Sequence, residues 1–321
     1  MSEARRRVLG TLAIVIAATC FGTLGPLSRL AYDRGMTALG FATWRALFGA
    51  ILLTVVLAAL AARGRPLVRL TGLRRGTLGA LALAAAAGII LNLAVFIAFG
   101  RITVALALLA FYTYPAMVAV VAISIERRRP DRIELLALAL ALGGMILVVA
   151  GQLEPGAGLV VDGIGLGLAL LAAVAQTVYI TSSRGYAAVP TEQAATILLW
   201  VATIGFVLIA AISGSLDSIS EPFRNPAAWP FLLVAGLLGA GFPSLLFLIA
   251  IRLIGPVRTG ILAMLEPVTG TILAALILGE TLGPIQLFGG VLVIAAGVIL
   301  QRAPSPASGP PTHPIQVPAP G

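Results

Sequence analysis

The 321-residue chain contains no lysine, one cysteine (Cys20) and one histidine (His313), and only 10% of its residues are charged. Soluble domains carry roughly 25% charged residues, so an ordinary water-facing domain is excluded. A single cysteine permits no intramolecular disulfide, and Cys20 reads as a small packing residue. No histidine or cysteine cluster is available to hold zinc, and no glycine-lysine loop is available to cradle ATP. The sequence therefore offers no catalytic residue set, no metal site and no cofactor site. An integral membrane enzyme would need such a set and finds none here.

What the chain has in abundance is apolar residue, 60% by count. A hydrocarbon core of about 30 Å needs roughly 20 residues of helix to cross it. Ten stretches meet that need: 8–28, 38–62, 77–99, 103–125, 132–151, 162–183, 192–213, 229–251, 257–278 and 284–301. The gaps between them are too short for a separate soluble domain. Met1–Cys20 resembles a signal peptide, with Arg5, Arg6 and Arg7 ahead of an apolar run, but the spans that follow favour an uncleaved first helix. At the far end Ala303–Gly321 is rich in proline and is expected to be a disordered, dispensable tail.

The second half echoes the first. Gly88, Phe96 and Arg101 recur as Gly239, Phe247 and Arg252, all at an offset of 151, and Pro115 recurs as Pro267 at 152. Ser28-Arg29 recurs as Ser183-Arg184 at 155. Five crossings per copy turn the second copy upside down in the bilayer. The expected fold is an all-α integral membrane protein of ten transmembrane helices, arranged as two inverted five-helix repeats. The boundaries are 1–151, 152–302 and the tail 303–321. Inverted repeats of this kind mark secondary transporters, whose binding site lies near the midplane between the copies.

The net charge of +9 is arginine alone, and its placement argues against nucleic acid. Arg5–Arg7, Arg63–Arg75, Arg127–Arg132, Arg184, Arg252, Arg258 and Arg302 fall on one side of the expected topology. Arg29, Arg34, Arg101 and Arg224 fall on the other. The positive-inside rule puts both termini in the cytoplasm and makes the basic loops contacts for anionic lipid.

Few polar groups lie at membrane depth. Glu266 is about ten residues into its span, roughly 15 Å from the inner surface at 1.5 Å per residue. A carboxylate there costs several kcal/mol unless it is paired, hydrated or protonated, which makes it a candidate for binding substrate or a proton. Its counterpart in the first copy is Tyr114. Arg45, about two turns below the outer surface, either snorkels to the headgroups or meets an anionic group. Asn92 and Gln176 are candidates for orienting a ligand, and Tyr112, Tyr114, Tyr179 and Trp200 for an aromatic pocket; helix packing explains each equally well. Trp44 and Trp229 read as interfacial anchors. Pro115, Pro243 and Pro267 fall mid-span and should free the carbonyls of Phe111, Gly239 and Ala263, giving kinks on which gating can turn. Gly143-Gly144 and Gly289-Gly290 should let helices approach closely.

Together, Tyr114-Pro115 with Glu126 in the first half, and Arg252–Val257, Leu265-Glu266-Pro267-Val268 and Leu278-Gly279-Glu280 in the second, resemble the EamA-type members of the drug/metabolite transporter superfamily. The likeness spans roughly 8–302. It implies a central cavity lined by the first four helices of each half, with the fifth and tenth peripheral. It also implies transport of amino acids, other metabolites or toxic compounds. Phe21-Gly22 departs from the tryptophan-glycine pair of many relatives. The expectation is an inner-membrane exporter working by alternating access. Its partners are a small-molecule substrate, protons and membrane lipids, with a homodimer as one form of assembly and no nucleic acid. A non-transporting membrane scaffold or sensor is the alternative.

Overall fold

A computed structural model of the chain describes residues 2–99, 101–102, 104–125, 130–151, 162–278 and 282–302. Glu126, Glu280, the arginines 127–129, His313 and the tail 303–321 lie outside the described residues. Within them the chain is helical, with no strand. The first half holds α1 (Glu3–Gly22), α2 (Leu24–Tyr32), α3 (Ala38–Ala62), α4 (Arg75–Phe99), α5 (Val104–Phe111), α6 (Tyr114–Ser124) and α7 (Arg132–Ala150). The second holds α8 (Gly163–Ser182), α9 (Thr191–Ile212), the short α10 (Asp217–Arg224), α11 (Trp229–Gly236), a π-turn (Leu237–Gly241), α12 (Phe242–Ile254), α13 (Pro256–Ala263), α14 (Leu265–Leu278) and α15 (Pro284–Arg302).

Eight helical stretches among the described residues are long and apolar enough to cross a membrane. They are Glu3–Tyr32, Ala38–Ala62, Arg75–Ala98, Leu106–Ser124, Arg132–Ala150, Gly163–Ser182, Thr191–Ile212 and Pro226–Ile254. The remaining two expected spans do not reach that length unbroken. Residues 257–278 are divided between α13 and α14, and Pro284–Leu300 is a shorter apolar helix.

Side-chain size is sorted between inside and outside. Buried positions are dominated by alanine, with glycine at the crossings, while Leu12, Ile51, Val55, Leu136, Ile204 and Val291 face outward. Lipid is as apolar as leucine, so helices associate through close packing, and small residues permit it. The contact of α7 with α15 shows the limit. A Cβ on Gly144 would stand 2.5 Å from the carbonyl oxygen of Gly289, and one on Gly289 would stand 2.5 Å from that of Gly144. Backbone touches backbone there, as the glycine pairs lead one to expect. Elsewhere α1 lies on α12, α13 and α14, α8 lies on α4, α5 and α6, and α3 lies on α9.

Two close approaches position the middle of the bundle. A Cβ on Gly22 would fall 3.0 Å from the carbonyl oxygen of Glu266, which seats the end of α1 on the first turn of α14. Gly255 adopts φ +84°, a left-handed conformation that glycine takes without steric cost, and turns the chain between α12 and α13.

Candidate functional site

The prolines act by ending helices. Sequence reasoning makes Pro115 and Pro267 kinks inside continuous spans; instead, each stands in the first turn of a new helix, α6 or α14, after a break. The physical reason is that first-turn N–H groups have no intrahelical partner, so proline forfeits nothing there. Before the breaks the ladder tightens, with Thr113 N–H donating to the Ala110 carbonyl at 3.3 Å and Met264 N–H to that of Ile261 at 3.2 Å. Both broken spans therefore present a helix start inside the bundle, one carrying Tyr114 and the other Glu266.

These starts meet. Tyr112, in the break before α6, and Tyr114, on its first turn, both lie within electrostatic reach of the Glu266 carboxylate. Tyr112 and Tyr114 are each 1% exposed, with ring centroids 6.0 Å apart, and Phe111 packs on both at 5.1 and 5.2 Å. Glu266 itself is only half-buried. It stands in the first turn of α14, where the helix dipole presents partial positive charge to a carboxylate.

Arg45 does not snorkel. It is 7% exposed and turned inward, because two acceptors inside the bundle meet its two terminal nitrogens. Its Nη1 donates to the Gly239 carbonyl at 3.0 Å, and its Nη2 donates to Asn92 Oδ1. Gly239 is the carbonyl that Pro243, four residues on, leaves without its helical donor, and the chain answers with a π-turn over 237–241. Asn92 in turn donates through Nδ2 to the Gly88 carbonyl at 2.7 Å. A single relay thus joins two carbonyls, of Gly88 and Gly239, through Asn92 and Arg45. Arg45 also lies over the Phe96 ring at 5.6 Å and in the electrostatic field of Glu266.

The remaining candidates divide. Gln176 is buried on α8, and Tyr179, one turn on, packs beside Gly88, 3.7 Å from where its Cβ would be. Thr177, between them, donates to the Tyr114 carbonyl at 3.5 Å, a contact to the helix start that sequence reasoning missed. Trp200 is not brought to this group. It is exposed on α9, and its indole N–H donates to Thr54 Oγ1 on α3 at 2.9 Å. An indole needs one acceptor for its N–H, and α3 supplies it at the surface. Trp44 and Trp229 stack edge to face at 4.8 Å, with Phe48 and Phe223 completing the cluster. No metal-holding group of His, Cys, Asp and Glu occurs among the described residues.

Long apolar helices around a polar centre define a multi-pass membrane protein, and comparison with known proteins narrows the class. The model of the EamA-like transporter family matches residues 8–150 and again 163–301. The chain belongs to that family, within the drug/metabolite transporter superfamily. Curated proteins yield no sequence match. Among solved structures, one crystal structure of a protein superposes with a TM-score of 0.73 at 18% identity, covering 91% of this chain and 96% of the other. At that identity the likeness concerns the fold alone.

Proposed function

We propose that the chain is a secondary transporter which exports a small polar or amphipathic metabolite, an amino acid or related compound, across the inner membrane by alternating access. Family membership supports membrane transport, and the direction and substrate class are part of the proposal. Two inverted five-helix halves, 1–151 and 152–302, with cytoplasmic termini would account for the packing. Exchange of the halves turns the contact of α4 with α8 into that of α12 with α1. It turns the seat of α8 on α5 and α6 into that of α1 on α13 and α14. The contacts of α3 with α9 and of α7 with α15 map onto themselves.

The observation that carries the mechanism is the half-buried Glu266 carboxylate at a helix break, within electrostatic reach of Tyr112 and Tyr114 at the opposing break. A carboxyl that is not fully buried exchanges a proton or binds a cationic group, and broken helices supply hinges. Gln176 and Tyr179 orient the substrate, Arg45 and Asn92 hold the π-turn beside it, and Pro115, Pro243 and Pro267 set where the helices flex. The test is flux of a metabolite panel in liposomes against pH, for the parent and Glu266→Gln. The parent should move at least one solute with a pH-dependent rate, and the variant should lose that dependence with at least about a tenfold fall in rate. Parent-like rates and pH profile in the variant would remove Glu266 from the mechanism. Absence of flux for every solute would favour the scaffold or sensor reading.

A further inference from the structure

At the end of the bundle where α7 and α13 begin, Arg258 Nε donates to Glu134 Oε1 at 3.0 Å, with the two side chains 3% and 0% exposed. The carboxylate is fixed by its own helix. Asp131 N–H donates to Glu134 Oε2 at 3.3 Å, and Glu134 N–H donates to Asp131 Oδ1 at 2.7 Å, which closes a capping box. The guanidinium is less well placed. It lies in the first turn of the eight-residue α13, where the helix dipole disfavours a cation. Its own helix therefore does not hold Arg258 at this site, and Glu134 is one group that does.

The same end is tightly shut. In α13, Gly260 meets the start of α6, its Cβ position 3.6 Å from Pro115 Cβ and 3.7 Å from the Tyr114 ring. The helix α1 closes the flank, where Arg7 and Thr11 line one small crevice with Arg258. Beyond the breaks the arrangement differs. Among the described residues α5 and α14 do not pack on each other as α6 and α13 do. Gly25, past the end of α1, is exposed with open space in front of it. It is 14 residues along from Thr11, about 20 Å at 1.5 Å per residue.

We propose that the Glu134–Arg258 pair is a latch that keeps this end of the transporter closed, and that α13 leaves α7 and α6 when access reverses. The proposal rests on the transport reading above. A buried ion pair suits the task because its desolvation cost nearly cancels its attraction, so closed and open states stay close in free energy. Removing one partner unbalances that equilibrium, since the attraction that favours the closed end is lost while opening still returns the other charge to water.

The experiment reads access without a substrate. In a Cys20→Ala background, one protein carries Val257→Cys and a second carries Gly25→Cys. Val257 is 1% exposed, about one turn before Gly260 on the face of α13 that meets α6. Modification by a charged maleimide is timed in nanodiscs, with Glu134→Gln or Arg258→Lys added. Glu134→Gln keeps the capping geometry and removes the charge. It should raise the rate at position 257 on the order of tenfold or more and lower the rate at position 25. Arg258→Lys keeps the charge and should stay within about twofold of the parent. If Glu134→Gln yields no monodisperse protein, Glu134→Asp should show the same reciprocal pattern at smaller amplitude. An unchanged rate at 257, or a rise at both positions, overturns the latch, because loosening without a switch exposes both ends. Reciprocal access changes in a protein that moves no solute would overturn the transport reading and leave the latch standing.

Discussion

Arg45, on α3, donates to the carbonyl of Gly239, on the π-turn between α11 and α12, at 3.0 Å and out of contact with solvent. The contact couples a proline in one half of the chain to a cation in the other. Pro243 takes away the N–H that would have met this carbonyl, and Arg45 supplies another. Replacing Arg45 by Met should cost about 2–4 kcal/mol, since a charge-assisted bond is lost and the acceptors stay buried. Arg45→Lys should recover little of it, because a point charge cannot serve Asn92 and Gly239 in a fork. Unfolding in detergent, followed by helicity, checks both.

The same reasoning predicts non-additivity. Pro243→Ala returns an N–H four residues from Gly239, so the carbonyl regains a helical donor. In that background Arg45→Met should cost at least about 1 kcal/mol less than it does alone. A double-mutant cycle that closes additively would mean that Pro243 and Arg45 do not share this carbonyl.

The crossing of α7 and α15 should tolerate no side chain. Gly144→Ala places a methyl 2.5 Å from a backbone oxygen that cannot swing away, whereas Gly143→Ala meets nothing within 4 Å. The first should cost about 1–3 kcal/mol and the second less than about 0.5 kcal/mol. Thermal denaturation of the two variants side by side makes the comparison.

Tyr112→Phe removes a hydroxyl within electrostatic reach of Glu266 while keeping the ring packed on Phe111. In the liposome assay it should shift the pH profile of flux without abolishing transport. Combined with Glu266→Gln it should add nothing further, because its effect passes through that carboxyl.

Asp162 caps α8 with hydrogen bonds from the N–H groups of Ile164 and Gly165. A hydrogen bond from Arg101, with those backbone bonds, holds its carboxyl below the usual carboxylate range. A lowered carboxyl contributes stability that is complete above the unfolded value of about 4 and is lost as pH falls through the folded value. Asp162→Asn should therefore lower the melting temperature slightly at neutral pH. The difference from the parent should shrink on acidification below pH about 4, as melting curves across pH will show.

Local chemistry announced much of this protein. Apolar run lengths placed eight membrane-crossing helices to within a few residues, glycine pairs announced the contact of α7 with α15, and Pro243 announced a carbonyl in need of a donor at Gly239. These features depend on residues near one another in the chain, where hydrophobicity, steric bulk and a missing N–H act directly. Broken spans were harder to read, because a proline marks a helix start or a kink according to what packs around it.

Partnership was decided by the tertiary structure. Nothing in the sequence around Glu134 points to its ion partner Arg258, which stands 124 residues away. Arg45 reads as a candidate for snorkelling until Asn92 and Gly239 come within reach, and Trp200 reads as a pocket residue until its indole meets Thr54 at the surface. Tyr112, in the break before α6, and Glu266, on the first turn of α14, come together only when the bundle assembles. A buried polar group must find a partner wherever the fold supplies one, and that choice is settled by packing across the chain rather than by its neighbours along it.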